Sequence, residues 1–218
     1  MLKTILVGKR ASLAATIIAV SYGLLQILWG LQVIPYPGNL YWYFLPSFFL
    51  APAFLMITVS LDILAPPNAR VWTITAWLLA TINCMMMIMI YSCEPGHLNP
   101  SHFNWHTGDI VVMLFEPHTK MISLQYAGGF LVNASTFILA FAFRNCNAKS
   151  FFRSLLINGL LLPLLILSYF CPQYYYLTFV SIVTFPLAMV HACRFFSNQK
   201  RELYEKQKEA PCVEWLIE

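Results

Sequence analysis

Charge is what this chain has least of. Only 10% of its 218 residues are Asp, Glu, Lys or Arg, while 59% are hydrophobic. A water-soluble domain carries about 25% charged residues, and long stretches here hold none at all. That excludes a core wrapped in a water-facing shell and fits segments that face lipid. Nucleotide chemistry leaves no trace either, because the sequence has no P-loop and no dinucleotide-binding glycine fingerprint. Internal repeats and low-complexity tracts are also missing. A cleavable signal peptide is not evident: Lys3, Lys9 and Arg10 resemble a charged leader, but the apolar run that follows, about 13–34, is too long for a signal core. The first segment is therefore expected to be a retained anchor.

Six stretches reach the length of about 20 apolar residues that a bilayer crossing needs. Their approximate limits are 12–34, 41–63, 71–92, 121–143, 151–170 and 174–196. Pro35, Pro37, Gly38 and Asn39 break the chain after the first, and Ala65, Pro66, Pro67 and Asn68 after the second. A polar link, Arg144 to Lys149, follows the fourth. Cys171, Pro172 and Gln173 barely part the last two, which predicts a tight helical hairpin.

The expected fold is all-α, an integral membrane bundle of six transmembrane helices over residues 1–196 with a charged tail at 197–218. Starting in the cytoplasm, the inner segments are 1–11, 64–70, 144–150 and 197–218, so both termini are cytoplasmic. These segments and the adjoining helix ends hold 12 of the 13 basic residues, Lys120 being the exception. A five- or seven-span topology splits that set. The net charge of +4 is thus read as a topology signal, not as a nucleic-acid surface. Tyr36, Tyr41, Trp42 and Tyr43, and likewise Tyr174, Tyr175 and Tyr176, mark outer boundaries where amphipathic rings settle at the headgroups. The tail reads as a continuation of the last helix, with Glu202 and Lys206 at i,i+4.

Helices in lipid associate through close backbone approach and buried polar contacts. Ala15, Ala19, Gly23, Gln26 and Gly30 form a stripe on the first helix; Gly128, Gly129 and Ala140 offer another on the fourth. Asn83, Asn133 and Asn158 fall inside spans. An amide facing lipid is costly, so these are expected to face the interior, as glue between helices or as the lining of a pathway. The sequon Asn133-Ala134-Ser135 is discounted because it lies within a span. Pro46, Pro52, Pro163 and Pro186 should bend or open their helices.

The long connection from Cys93 to Lys120 gathers His97, His102, His106 and His118 together with Glu94, Asp109 and Glu116. If 101–115 is helical, His102, His106 and Asp109 share a face. Two imidazoles and a carboxylate can hold zinc and leave a fourth position for water. His118 is a further ligand candidate, and Glu94 or Glu116 a general base. Against this stands a polar loop whose histidines simply meet water and lipid phosphate. The apolar run 110–115 is too short to span and is expected at the interface or over the bundle. Cys84 and Met85 to Met87 with Met89 form a sulfur cluster; Met85 and Met89 share a face that soft Cu(I) could use, but methionine is also an ordinary gap filler. Cys93 and Cys171 both fall at outer ends and a disulfide between them is compatible with an oxidising outside. His191 is read as packed or interfacial.

Leu50-Ala51-Pro52-Ala53-Phe54-Leu55, Pro117-His118, Gly128-Gly129 and Asn158-Gly159 give residues 40–165 a resemblance. The chain resembles a group of small bacterial multi-pass inner-membrane proteins of unassigned function. The resemblance implies the architecture and a bacterial inner membrane, and no activity. The leading expectation is a non-enzymatic membrane protein that binds or moves a small or lipid-like molecule. Two alternatives are a metal-dependent, membrane-embedded hydrolase acting on lipid at the outer face, with zinc the candidate metal, and a structural subunit of a membrane complex. The expected partners are membrane lipid and a small-molecule or lipid ligand; an oligomer is compatible, and nucleic acid is not expected.

Overall fold

The computed structural model describes residues 1–30, 40–97, 120–144, 148–171, 177 and 179–209. Every regular element among them is helical: α1 (Leu2–Gly30), α2 (Leu40–Leu64), a 3-10 turn (Pro67–Ala69), α3 (Arg70–His97), α4 (Lys120–Ala142), α5 (Lys149–Gly159), α6 (Leu162–Phe170) and α7 (Ser181–Glu209). Three helical segments, Leu2–Leu28, Pro67–Met89 and Lys149–Phe170, are long and apolar enough to cross a membrane. Two further apolar helices, Phe48–Leu64 and Tyr126–Ala142, are shorter.

The helices close into a ring in chain order. α1 packs on α2, α2 on α3, α3 on α4, α4 on α5, α5 on α7, and α7 returns to α1. Side-chain register shows how they run. A Cβ on Gly8 would stand 2.4 Å from the Phe196 ring and one on Gly23 2.3 Å from Ile182 Cγ2, so α1 and α7 are antiparallel. Ser135 Oγ donates to the Ala76 carbonyl at 2.8 Å while the Trp72 and Phe141 rings meet at 5.5 Å, which makes α3 and α4 antiparallel. Phe143 meets Phe151 at 5.5 Å and Phe151 stacks on Phe195 at 5.0 Å, fixing α4, α5 and α7 in the same alternation.

The interior mixes many small and polar residues with large apolar ones such as Phe54, Ile57, Leu61 and Leu139. Ala15, Ala76, Ala80, Ala140, Ala188 and Ala192 are buried, together with Ser12, Thr58, Thr73, Ser135 and Thr136. Large apolar side chains such as Leu13, Ile17, Val71, Ile82, Phe170 and Val183 point outward. A bundle in water turns few such aliphatic side chains outward, because burying aliphatic surface drives its folding. In hydrocarbon that force is absent between helices, and small residues that let backbones approach take its place. Gly159 brings two backbones together. A Cβ there would lie 2.5 Å from Phe137 Cβ and 2.6 Å from Phe137 Cα, so α5 rests directly on the α4 backbone.

Helix limits depart from the expected spans where hydropathy and helix propensity diverge. α1 begins at Leu2, not near 12, while α7 runs past the apolar limit near 196 to Glu209, continuing into the tail as expected. Lys, Arg and Glu are good helix formers, so a helix continues after the apolar stretch has ended. In the tail Arg201 Nε meets Glu205 Oε1 at 2.9 Å; the anticipated partner Lys206 has no described side chain. The stretch expected as one span over 151–170 is two helices. Pro163 has no N–H to donate and its ring displaces the carbonyl one turn earlier; the chain tightens there, with Leu161 N–H on the Asn158 carbonyl at 3.2 Å. The last helix starts at Ser181, later than 174, and most of the connection before it lies outside the described residues.

One end of the ring is strongly basic. The alternation brings Lys3, Lys9 and Arg10 of α1, Arg70 of α3, Arg144, Lys149 and Arg153 around the α4–α5 turn, and Arg194, Lys200 and Arg201 of α7 to that end. Inside it, Phe143, Phe151, Phe195 and Phe196 form a contiguous aromatic cluster. Three of these rings are almost fully buried. Asp62, beside the α2–α3 turn, accepts a hydrogen bond from Thr73 Oγ1.

Candidate functional site

Away from the basic end, the ring leaves a cavity of about 210 Å³. Five helices supply its principal walls: Ala19, Gly23 and Gln26 of α1; Leu50, Ala51 and Phe54 of α2; Asn83 and Met87 of α3; Gly128, Gly129, Val132 and Asn133 of α4; Ile182, Phe185 and Pro186 of α7. α5 contributes Asn158, and Tyr22 and Ser181 complete the lining. None of these side chains carries a formal charge at neutral pH. The aromatic cluster lies between the cavity and the basic end.

Asn83, Asn133 and Asn158, expected to face inward, all line this cavity, with exposures of 2%, 5% and 1%. Two of them belong to one network. Asn158 Nδ2 donates to Asn133 Oδ1 at 3.0 Å and to Thr136 Oγ1 at 3.1 Å. Thr184 Oγ1 donates to Asn158 Oδ1 at 3.0 Å, tying α7 to α5. Asn133 Nδ2 donates to the Gly129 carbonyl at 2.9 Å, and Thr136 Oγ1 to the Asn133 carbonyl at 3.0 Å. Satisfied amides of this kind fix helix register.

Asn83 is different. Its Oδ1 is buried without a hydrogen-bond partner. It approaches Gly128, where a Cβ would stand 3.0 Å from that oxygen and 1.7 Å from Met87 Cε. Glycine at 128 is thus what allows Asn83 and Met87 to reach this wall. Gln26, the fourth polar residue expected inside, is half-buried and also lines the cavity.

The sequence-based zinc candidates are not among these residues. His102, His106, Asp109, Glu116 and His118 lie outside the described residues, and Glu94 falls on α3 at a position whose side chain is not described. Among the described residues no three His, Cys, Asp or Glu side chains could hold a metal ion. The methionine cluster divides. Met87 lines the cavity, whereas Met85 and Met89 are 68% and 56% exposed on the outer surface of α3, where they make no common inward site. The pairing of Cys171 with Cys93 falls outside the described side chains. His191 is half-buried, with its Nδ1 enclosed and unpartnered.

Several cavity residues carry no sequence signal strong enough to single them out. Phe54 and Ile182 look like ordinary apolar positions, and the contact of the Phe54 ring with Phe185 at 5.7 Å depends on the ring closing. Thr136 stands three residues after Asn133, a helical spacing that could have marked it. Pro186 offers a second clue, because it has no N–H for the Ile182 carbonyl.

Comparison with known proteins places no relative beside this site: no protein-family model, no curated protein and no solved structure matches the chain.

Proposed function

We propose that this chain is a six-span membrane protein, with both termini on the cytoplasmic side, whose bundle holds a small, uncharged, amphiphilic molecule in the outer half. One observation carries the reading: the cavity is lined by amides and apolar side chains together, in a ring that otherwise packs closely. Apolar walls with a few convergent polar groups are the usual make-up of a small-molecule site. A charged ligand would be unsuited, since a buried charge needs a counter-charge and the lining supplies none.

The topology rests on the basic end of the ring, because Lys and Arg are retained on the cytoplasmic side. The outward-facing aliphatic surface supports six crossings. The resemblance noted from the sequence supports a bacterial inner membrane. With the basic end plugged by aromatic rings, this conformation suits a binding protein, or a carrier closed on its cytoplasmic side, better than an open channel. Membrane lipid is the surrounding partner and the source of the first molecules to test.

The experiment is native mass spectrometry of the full chain released from nanodiscs, alongside Ala51→Phe. Ala51 is 4% exposed and lines the cavity, so the larger ring occupies the site. A small molecule bound one to one in the wild type and absent from a folded Ala51→Phe supports the reading. Equal occupancy in both, or none in either, refutes it.

A further inference from the structure

We propose that the basic end carries a binding site for an anionic phospholipid at the lipid-facing edge of the α5–α7 contact, with the phosphate held between Arg153 and Arg194. The site is separate from the cavity and rests only on the membrane placement of the bundle.

Helix register brings the two arginines together. Phe151 stacks on Phe195 at 5.0 Å, and Thr184 Oγ1 donates to Asn158 Oδ1 at 3.0 Å. Arg153 and Arg194 both lie between these two contacts and close to the first, within about one helical turn of each other along the bundle axis. Their directions follow from the same geometry, because residues two apart on a helix stand about 200° apart around it. Gly159 faces Phe137 of α4, so Ile157 lies on the far side of α5, and Arg153 is one turn before it on the same strip. Phe196 faces Gly8 of α1, so Arg194 lies on the side of α7 turned away from α1, in line with Leu187. Both arginines are exposed.

This edge is positive without compensation. Lys149, one turn before Arg153, is exposed as well. Among the described residues the one ion pair joins Arg201 to Glu205, and Glu202 stands about two turns beyond Arg194. Other cations of the basic end are placed differently. Arg70 shares its turn with the Asp62 carboxylate, which Thr73 holds, and Arg10, two residues after Gly8, lies on the side of α1 away from α7.

Deeper in the bundle both helices turn aliphatic side chains outward: Ile157 and Leu160 on α5, Val183 and Leu187 on α7. A cationic edge continuous with an apolar strip matches a phospholipid, whose phosphate takes the guanidinium groups while an acyl chain follows the aliphatic residues. Basic pockets between membrane helices on the cytoplasmic side characteristically take anionic headgroups. A zwitterionic headgroup would bring its ammonium to three cations with no carboxylate to receive it, so a lipid of net negative charge is preferred.

The test is native mass spectrometry of the full chain released from nanodiscs of equimolar phosphatidylglycerol and phosphatidylcholine with matched acyl chains. The wild type is expected to retain phosphatidylglycerol over phosphatidylcholine by about tenfold, and Arg153→Gln with Arg194→Gln to lose most of that preference. Lys3→Gln with Arg10→Gln removes the same charge from α1, and a folded Ala51→Phe fills the cavity; both are expected to keep it. Equal retention of the two lipids by the wild type overturns the proposal. So does an equal loss in the two charge-removing pairs, which would show diffuse attraction to the basic end, and so does a loss in Ala51→Phe, which would put the lipid in the cavity. Should Arg153→Gln with Arg194→Gln not fold, crosslinking of the wild type decides. Phosphatidylglycerol with diazirine-bearing acyl chains is expected to label 149–160 and 183–194 about fivefold more than its phosphatidylcholine counterpart, and equal labelling overturns the site.

Discussion

Asn158 of α5 donates to Asn133 of α4 at 3.0 Å, and the same amide accepts from Thr184 of α7 at the same distance. One side chain therefore joins three helices at the floor of the cavity. Asn158→Leu removes these bonds and leaves Thr184 and Asn133 short of a partner. Interhelical hydrogen bonds in membranes contribute about 0.6 kcal/mol on average and at most about 1.7. The expected loss is about 1–3 kcal/mol, read as a lower midpoint of unfolding in detergent. Asn133→Ala combined with Asn158→Ala should cost less than the sum of the two single variants; strict additivity would show that the pair is not coupled.

Gly159 and Gly129 form a natural control. At Gly159 a methyl group meets the Phe137 backbone at 2.6 Å, but at Gly129 the nearest atom is Leu165 Cδ1 at 3.6 Å. Gly159→Ala is expected to destabilise the bundle by about 3 kcal/mol or more, at the upper end of overpacking. Gly129→Ala should be neutral, or stabilising by up to about 1 kcal/mol through helix propensity. Thermal unfolding of both in one detergent checks the pair, and similar midpoints would contradict the α4–α5 contact.

The proposed topology predicts sided labelling. In a background with the six native cysteines replaced, Asn68→Cys at the basic end should react with an impermeant maleimide only after permeabilisation. Gly38→Cys, in the connection before α2, should react in intact cells. The opposite pattern would invert the orientation, and reaction at both positions in intact cells would break the six-span count.

The histidine-rich segment bears on the hydrolase alternative. If the cavity is the functional site, His102→Ala with His106→Ala leaves its one-to-one occupancy, read by native mass spectrometry, unchanged. Metal content per chain, measured on the same preparations, tests the other reading. About one zinc per chain, lost in the double variant together with a lipid-hydrolase activity, would move the function to that segment.

The amino-acid sequence makes part of this arrangement legible through a single cost. An amide in hydrocarbon must find a partner, so the inward placement of Asn83, Asn133 and Asn158 can be read from their positions within apolar runs. The stripe of Ala15, Ala19 and Gly23 is legible for a related reason, because backbones in lipid associate at small residues; all three are buried. The difference between the amides is not legible. Whether Asn83 or Asn158 finds a donor depends on which residues of α4 and α7 stand at its level, and that is settled by ring closure between helices far apart in sequence. The start of α1 at Leu2 is hidden because hydropathy reports where lipid contact begins and says little about where hydrogen bonding does. The break at Leu160 and Leu161 has a visible cause in Pro163, yet a proline in a membrane helix can bend it without dividing it.

The most direct measurement is a crystal structure of the full chain grown from a lipidic phase, with attention to the space between Phe54, Asn83 and Ile182. The account predicts elongated non-protein density there, disappearing in Ala51→Phe. A cavity filled by protein side chains, with no bound molecule in either protein, would contradict it.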